Sequence, residues 1–239
     1  MKTTLTDNTQ TSTSADIVEA TSATQGSVLV PTATDGLIGD FDQGDISFPR
    51  FQIAQGVGPL SDTYNKGDIV LDGELVIGGP VDGDMDPLDV SVVRFAKMFE
   101  EDLPFGGEEV PRIVATKAQV LRLGGVLEWI DGEKPSWKPV AEALICIKGP
   151  ANDPNVYPYS HKKSNYAFVL WKIKGVAYRR AAVPIITAAG SYYRDGLRTG
   201  SFNVATKKEV FSGNTVFCPV VTRGERHDAK FVEWLGEFA

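Results

Sequence analysis

The chain is expected to fold as a mainly β protein, a barrel or sandwich with a few short helices, α+β overall. Short runs rich in β-branched and aromatic residues recur along its 239 residues, separated by Gly, Pro, Asn and Asp. Segments of helical character are few and short, and no internal repeat is present. The composition, 42% hydrophobic and 23% charged, suits a soluble globular chain that can bury one sizeable core.

Residues 1–34 are rich in Thr, Ser and Ala and carry hardly any aromatic or long apolar pattern. Such a segment buries too little surface to offset its ordering entropy. It reads as a flexible tail, with residues 35–239 as a single domain whose folded part starts near Phe48 or Phe51. "DIVLDGELVIGG" predicts two short strands, or one bent strand, around Asp72-Gly73. "LDVSVVRFAKMF" starts β-branched and ends in helix formers, so its type stays open. "TKAQVLRLGG" predicts a helix that glycine ends. "PVAEALICIKG", "YAFVLWKIKG", "VAYRRAAVPIITA", "KKEVFSG" and "TVFCPVVTRG" read as strands. "SYYRDGLRTG" reads as a short helix capped by Ser191. "DAKFVEWLGEFA" predicts a terminal helix from Asp228, with Phe231, Trp234, Leu235 and Phe238 on one face to close the core. An acidic-aromatic docking tip is the alternative there.

Several function classes find no support. No basic segment followed by an apolar run opens the chain, and its apolar runs fall short of the roughly 20 residues that cross a bilayer. A cytoplasmic protein with no membrane partner is expected. Cys146 and Cys218 sit in apolar runs as buried thiols. His161 and His227 lie at no ligand spacing to them, so no zinc site is expected. Asp82, Asp84, Asp86 and Asp89 alternate like calcium ligands. However, Pro87 stands where an EF-hand needs Gly, and Val93 where it needs Glu. A solvated acidic loop is the better reading. The glycines lack a phosphate-loop ending, and no G-x-S-x-G elbow surrounds Ser191. Neither enzymatic activity nor a cofactor is expected.

Charge is divided unevenly. Residues 1–110 hold 20 acidic and 5 basic side chains, and residues 111–239 hold 11 and 19, so halves of −15 and +8 compose the net −7. Asymmetry of this size marks an interaction surface. From Asn155 to Lys208 ten basic residues meet one acid, Asp195, and six of the seven tyrosines fall in the same window. Alternation from Tyr166 places Ala167, Val169, Trp171 and Ile173 on an apolar, inward face. Tyr166, Phe168, Leu170, Lys172 and Lys174 share the other, where burial would leave two lysines without partners.

Cations beside aromatic faces suit single-stranded nucleic acid. Cations neutralise phosphates and release counterions, and rings stack on unpaired bases without demanding a sequence. Barrels of the oligonucleotide-binding (OB) type present such residues from one strand face and nearby loops. The expected phosphate contacts are Lys162, Lys163, Lys172, Lys174, Arg179, Arg180, Arg194 and Arg198. The expected stacking rings are Tyr166, Phe168, Tyr178, Tyr192 and Tyr193. The alternative is a structural sheet whose tyrosines pack at the edge of the core and whose lysines are solvated.

The stretches "FPRFQIAQGVGPLSDTYNKGDIVLDGELVIGG" and "VPIITAAGSYYRDGLRTGSFNVATKKEVFSGNTVFCPVV" resemble a group of small proteins encoded by tailed bacteriophages. Some of that group resemble single-stranded DNA-binding proteins with an OB-like fold, used in phage DNA replication and recombination. The resemblance implies single-stranded DNA as partner, with replication proteins beside it, and a DNA path along Tyr166, Phe168, Lys172 and Lys174. The mixed final helix departs from the strongly acidic tail common in that group. A virion structural or assembly protein, joined through its oppositely charged halves, is the rival expectation.

Overall fold

Ten strands and three α-helices are found among the described residues, 47–104, 109–150, 153–211 and 213–239 of a computed structural model. The tail expected at 1–34 lies outside them. β1 (Phe51–Ile53), β2 (Ile69–Leu71) and β3 (Leu75–Gly78) form a small antiparallel sheet. A second antiparallel sheet holds β4 (Leu88–Glu101), β5 (Ile113–Val114), β6 (Trp137–Lys148), β7 (Tyr159–His161), β8 (Ser164–Ile173), β9 (Gly200–Phe211) and β10 (Asn214–Arg226). Its order is β10-β9-β4-β6-β8-β7, with β5 against β4. The mainly β expectation holds. Both sheets have free ends, so neither closes into a barrel among the described residues. Two single-residue parallel bridges, Arg50 to Leu170 and Pro80 to Thr206, join the small sheet to β8 and β9.

The turn at Asp72-Gly73 forms as expected. Both residues take left-handed φ, 51° and 76°, at the centre of a turn that Glu74 N–H closes on Leu71 C=O at 2.9 Å. "LDVSVVRFAKMF" is strand throughout. The register slips between Val92 and Arg94, a bulge that leaves Val93 as the extra residue. Val90 to Val93 are buried because both faces of the strand are covered, Val90 and Val92 by one core and Val93 by the other. α1 (Lys117–Arg122) opens on a capping box in which Thr116 and Gln119 exchange hydrogen bonds.

"VAYRRAAVPIITA" is helical, which corrects the expected strand. A π turn, Tyr178–Ala182, runs into α2, Val183–Ser191. Pro184 has no N–H to donate, and the preceding turn widens so that Val183 N–H reaches Tyr178 C=O, five residues back. Tyr178, Ala181, Ala182, Ile185 and Ala188 are buried at helical spacing. Ser191 ends this helix and caps no other; the next helical segment is a 3₁₀ turn at Leu197–Thr199. α3 (Ala229–Gly236) starts where expected, with Asp228 accepting from Phe231 N–H at 3.0 Å.

Two cores lie on opposite faces of the large sheet. Ala141, Ala143, Ile145 and Ile147 of β6 meet the small sheet and the α2 segment, where Phe51 packs on Trp171 at 4.7 Å. Leu144, Cys146 and Phe168 meet α3 through Phe231 and Leu235. Cys146 and Cys218 are both free and buried, and burial pushes both thiols up in pKa, as befits inert apolar groups.

Candidate nucleic-acid interface

The alternation within β8 is as expected: Ala167, Val169, Trp171 and Ile173 are all buried. Its second face is not open, which corrects the expected stacking platform. α3 lies across the first half of it. Phe168 is 1% exposed and packs on Phe238 at 4.2 Å and Tyr159 at 4.8 Å. Tyr166 is half-buried against Phe231 and Trp234, and burial raises its phenol pKa. The apolar stripe of α3 needs a partner, and these rings supply one. Tyr178 and Tyr193 are buried too. Tyr193 O–H donates to Ser201 C=O at 2.9 Å. Of the five expected rings only Tyr192 is exposed, at 47%.

Several expected cations already have carboxylates. Lys172 and Lys174 both reach Glu100, at 2.8 and 3.7 Å. Arg180 pairs with Glu209 at 2.9 Å, and Lys162 with Asp228 at 2.9 Å. Pairs this exposed add little stability, but they lower the charge on offer. Lys163, Arg179 and Arg194 are exposed, and Arg198 is half-buried beside Gly236. Lys172 and Lys174 face a different cleft, between β1, β8 and β10, lined also by Arg50, Trp171 and Phe217.

Part of the expected set does come together. Three neighbouring depressions share lining residues, two on the α2–β10 side and a third on the α3 face of the large sheet. Arg179, Tyr192 and Arg223 line the first. Tyr192, Tyr193, Arg223 and Arg226 line the second. Arg226 also lines the third, with Lys148, His161, Lys162 and His227. The Arg223 guanidinium lies 3.6 Å from the Tyr192 ring centroid, a stacked cation–π pair. Arg226 donates to Tyr192 C=O at 2.7 Å, and Asp195 stands 3.8 Å from its guanidinium.

Arg223, Arg226 and Lys148 escaped the sequence reading because they lie outside the Asn155–Lys208 window. "TRGER" carried the signal, two exposed arginines at the end of a strand. In the third depression His227 Nε2 lies 2.8 Å from Ser91 Oγ. Burial holds the His227 pKa below its ordinary value, against the pull of Asp89 and Asp228.

Among the described residues no group of three or more His, Cys, Asp or Glu side chains is placed to hold a metal ion. No helix among them is long and apolar enough to cross a membrane. Family models, curated proteins and solved structures give no match to the chain.

Proposed function

We propose that the protein binds single-stranded DNA without sequence preference, without catalysis, in phage-type DNA replication or recombination. The observation that carries the reading is the set of cations Arg179, Arg223, Arg226 and Lys162 on three neighbouring depressions, with the exposed Tyr192 ring among them. Phosphates would displace counterions along the arginines. A base would displace the Arg223 guanidinium from Tyr192 and stack in its place. The two bridges from the small sheet to β8 and β9 support a partly open, OB-like barrel as the scaffold.

Fluorescence anisotropy with labelled oligo-dT at two salt concentrations tests this. The log–log salt slope should fall by about 0.7 for each phosphate that Arg223→Ala or Arg226→Ala leaves without its cation. Tyr192→Ala should cost about 1–3 kcal/mol of binding. Absence of binding at low salt, or binding indifferent to salt, sinks the reading. One observation favours subunit assembly instead: Asp82, Asp84 and Asp86 form an exposed acidic loop opposite in sign to these cations. Light scattering discriminates, since particles that form without DNA and dissolve in salt belong to assembly.

A further inference from the structure

The innermost depression has a composition that a running strand does not require. It measures about 310 Å³ and lies between β4, the β7–β8 turn and the start of α3. Both histidines of the chain line it, and both imidazoles pack edge-on against Phe231, at 5.4 and 4.8 Å. Lys148, Lys162 and Arg226 stand on its wall with Asp89 and Asp228. His161 Nε2 is buried and meets no hydrogen-bond partner among the described residues. Buried polar atoms are nearly always paired, and His161 itself is a lining residue of the cleft. Lys162 has φ +53°, the conformation that the two-residue turn between His161 and Ser164 calls for.

We propose that this cleft binds a phosphate monoester carried on a nucleotide-sized group, either the end of a strand or a free nucleoside monophosphate. The proposal rests on the nucleic-acid reading only through Arg226, which the cleft shares with the second depression. Three cations and two carboxylates line it; Lys162 pairs with Asp228 and Arg226 with Asp195, so Lys148 is the wall cation without a carboxylate within 4.0 Å among the described residues. Lys162 pairs with Asp228 at 2.9 Å on the cleft wall, and a phosphate would compete with that carboxylate for the ammonium. Ser164 and Tyr166 add hydroxyl donors at the wall. The volume falls at the small end of small-molecule sites, about 300–1,000 Å³. A monoester brings more charge than an internal diester, and it needs only one exit for its chain.

With only two histidines, the imidazole NMR signals can be assigned from one substitution, His161→Gln. Thymidine 5′-monophosphate should shift both signals, and thymidine should shift neither. In anisotropy, an oligo-dT bearing a 5′- or 3′-phosphate should bind about tenfold tighter than the unphosphorylated strand. Lys148→Ala, an exposed change at the end of β6, should make those affinities converge. Preference for one phosphorylated end assigns the ligand to that strand end. Imidazole shifts without end preference assign it to the free nucleotide. No shift at millimolar monophosphate together with no end preference overturns the proposal, whether or not oligo-dT binds. Shifts without any oligo-dT binding overturn the strand path and leave the cleft standing.

Discussion

Phe168→Ala separates a ring that stacks on bases from a ring that holds the fold. Phe168 is 1% exposed beneath α3, packed against Tyr159, Trp234 and Phe238. Removing a fully buried phenyl forfeits up to about 3 kcal/mol of transfer free energy. Its two nearest ring neighbours, Phe238 and Tyr159, account for about 0.5–1.5 kcal/mol each beyond that. The result sits in the range of about 3–5 kcal/mol for buried Phe→Ala, because eight-residue α3 has little stability of its own once its seat is damaged. With a urea m-value of about 2.5 kcal/mol/M, the midpoint should drop by about 1.6 M. Urea titration by tryptophan fluorescence reads the midpoint, and oligo-dT anisotropy on the folded variant reads affinity. A midpoint unchanged from the parent, with oligo-dT binding abolished, would refute the reasoning, since that pattern belongs to an exposed stacking ring.

Three further outcomes are expected. The fold favours neutral His227, so the unfolded chain binds the proton more readily. The stability this contributes is complete above about pH 6.5 and declines as pH falls through that value toward the lower folded one. Asp89, Asp228, Lys148, His161, Lys162 and Arg226 face the same cleft. Thermal melts between pH 7.5 and 5.5 should therefore show a decline that His227→Gln flattens, and equal slopes would contradict it. Gly67→Ala should cost about 2–3 kcal/mol in urea melts, because Gly67 has φ +95° and an added Cβ meets the Phe217 ring. Tyr193→Phe leaves the Ser201 carbonyl without its buried donor. It should cost about 1–2 kcal/mol of stability in urea melts, and a midpoint equal to the parent's would contradict a buried hydrogen bond there.

The inward face of β8, the left-handed turn at Asp72-Gly73 and the Asp228 start of α3 were legible from the letters. Each rests on neighbours a few residues apart, and alternation, turn and cap are local physics. The α2 segment was misread although its helical spacing was present, because the β-branched run around Pro184 reads as strand when taken alone. The acidic-then-basic division of the chain was also plain.

Sequence by itself determined which face of β8 is apolar and how much charge each half carries, since those follow from residue identity and a period of two. Only the tertiary structure decided what lies on the other face. α3, some 60 residues on, covers Tyr166 and Phe168, and Glu100, 72 residues back, takes up Lys172. The same folding drew Arg223 and Arg226 beside Tyr192, out of a stretch that looked unremarkable. Burial and charge pairing are set by whichever groups arrive within a few ångströms, and separation along the chain holds no record of that.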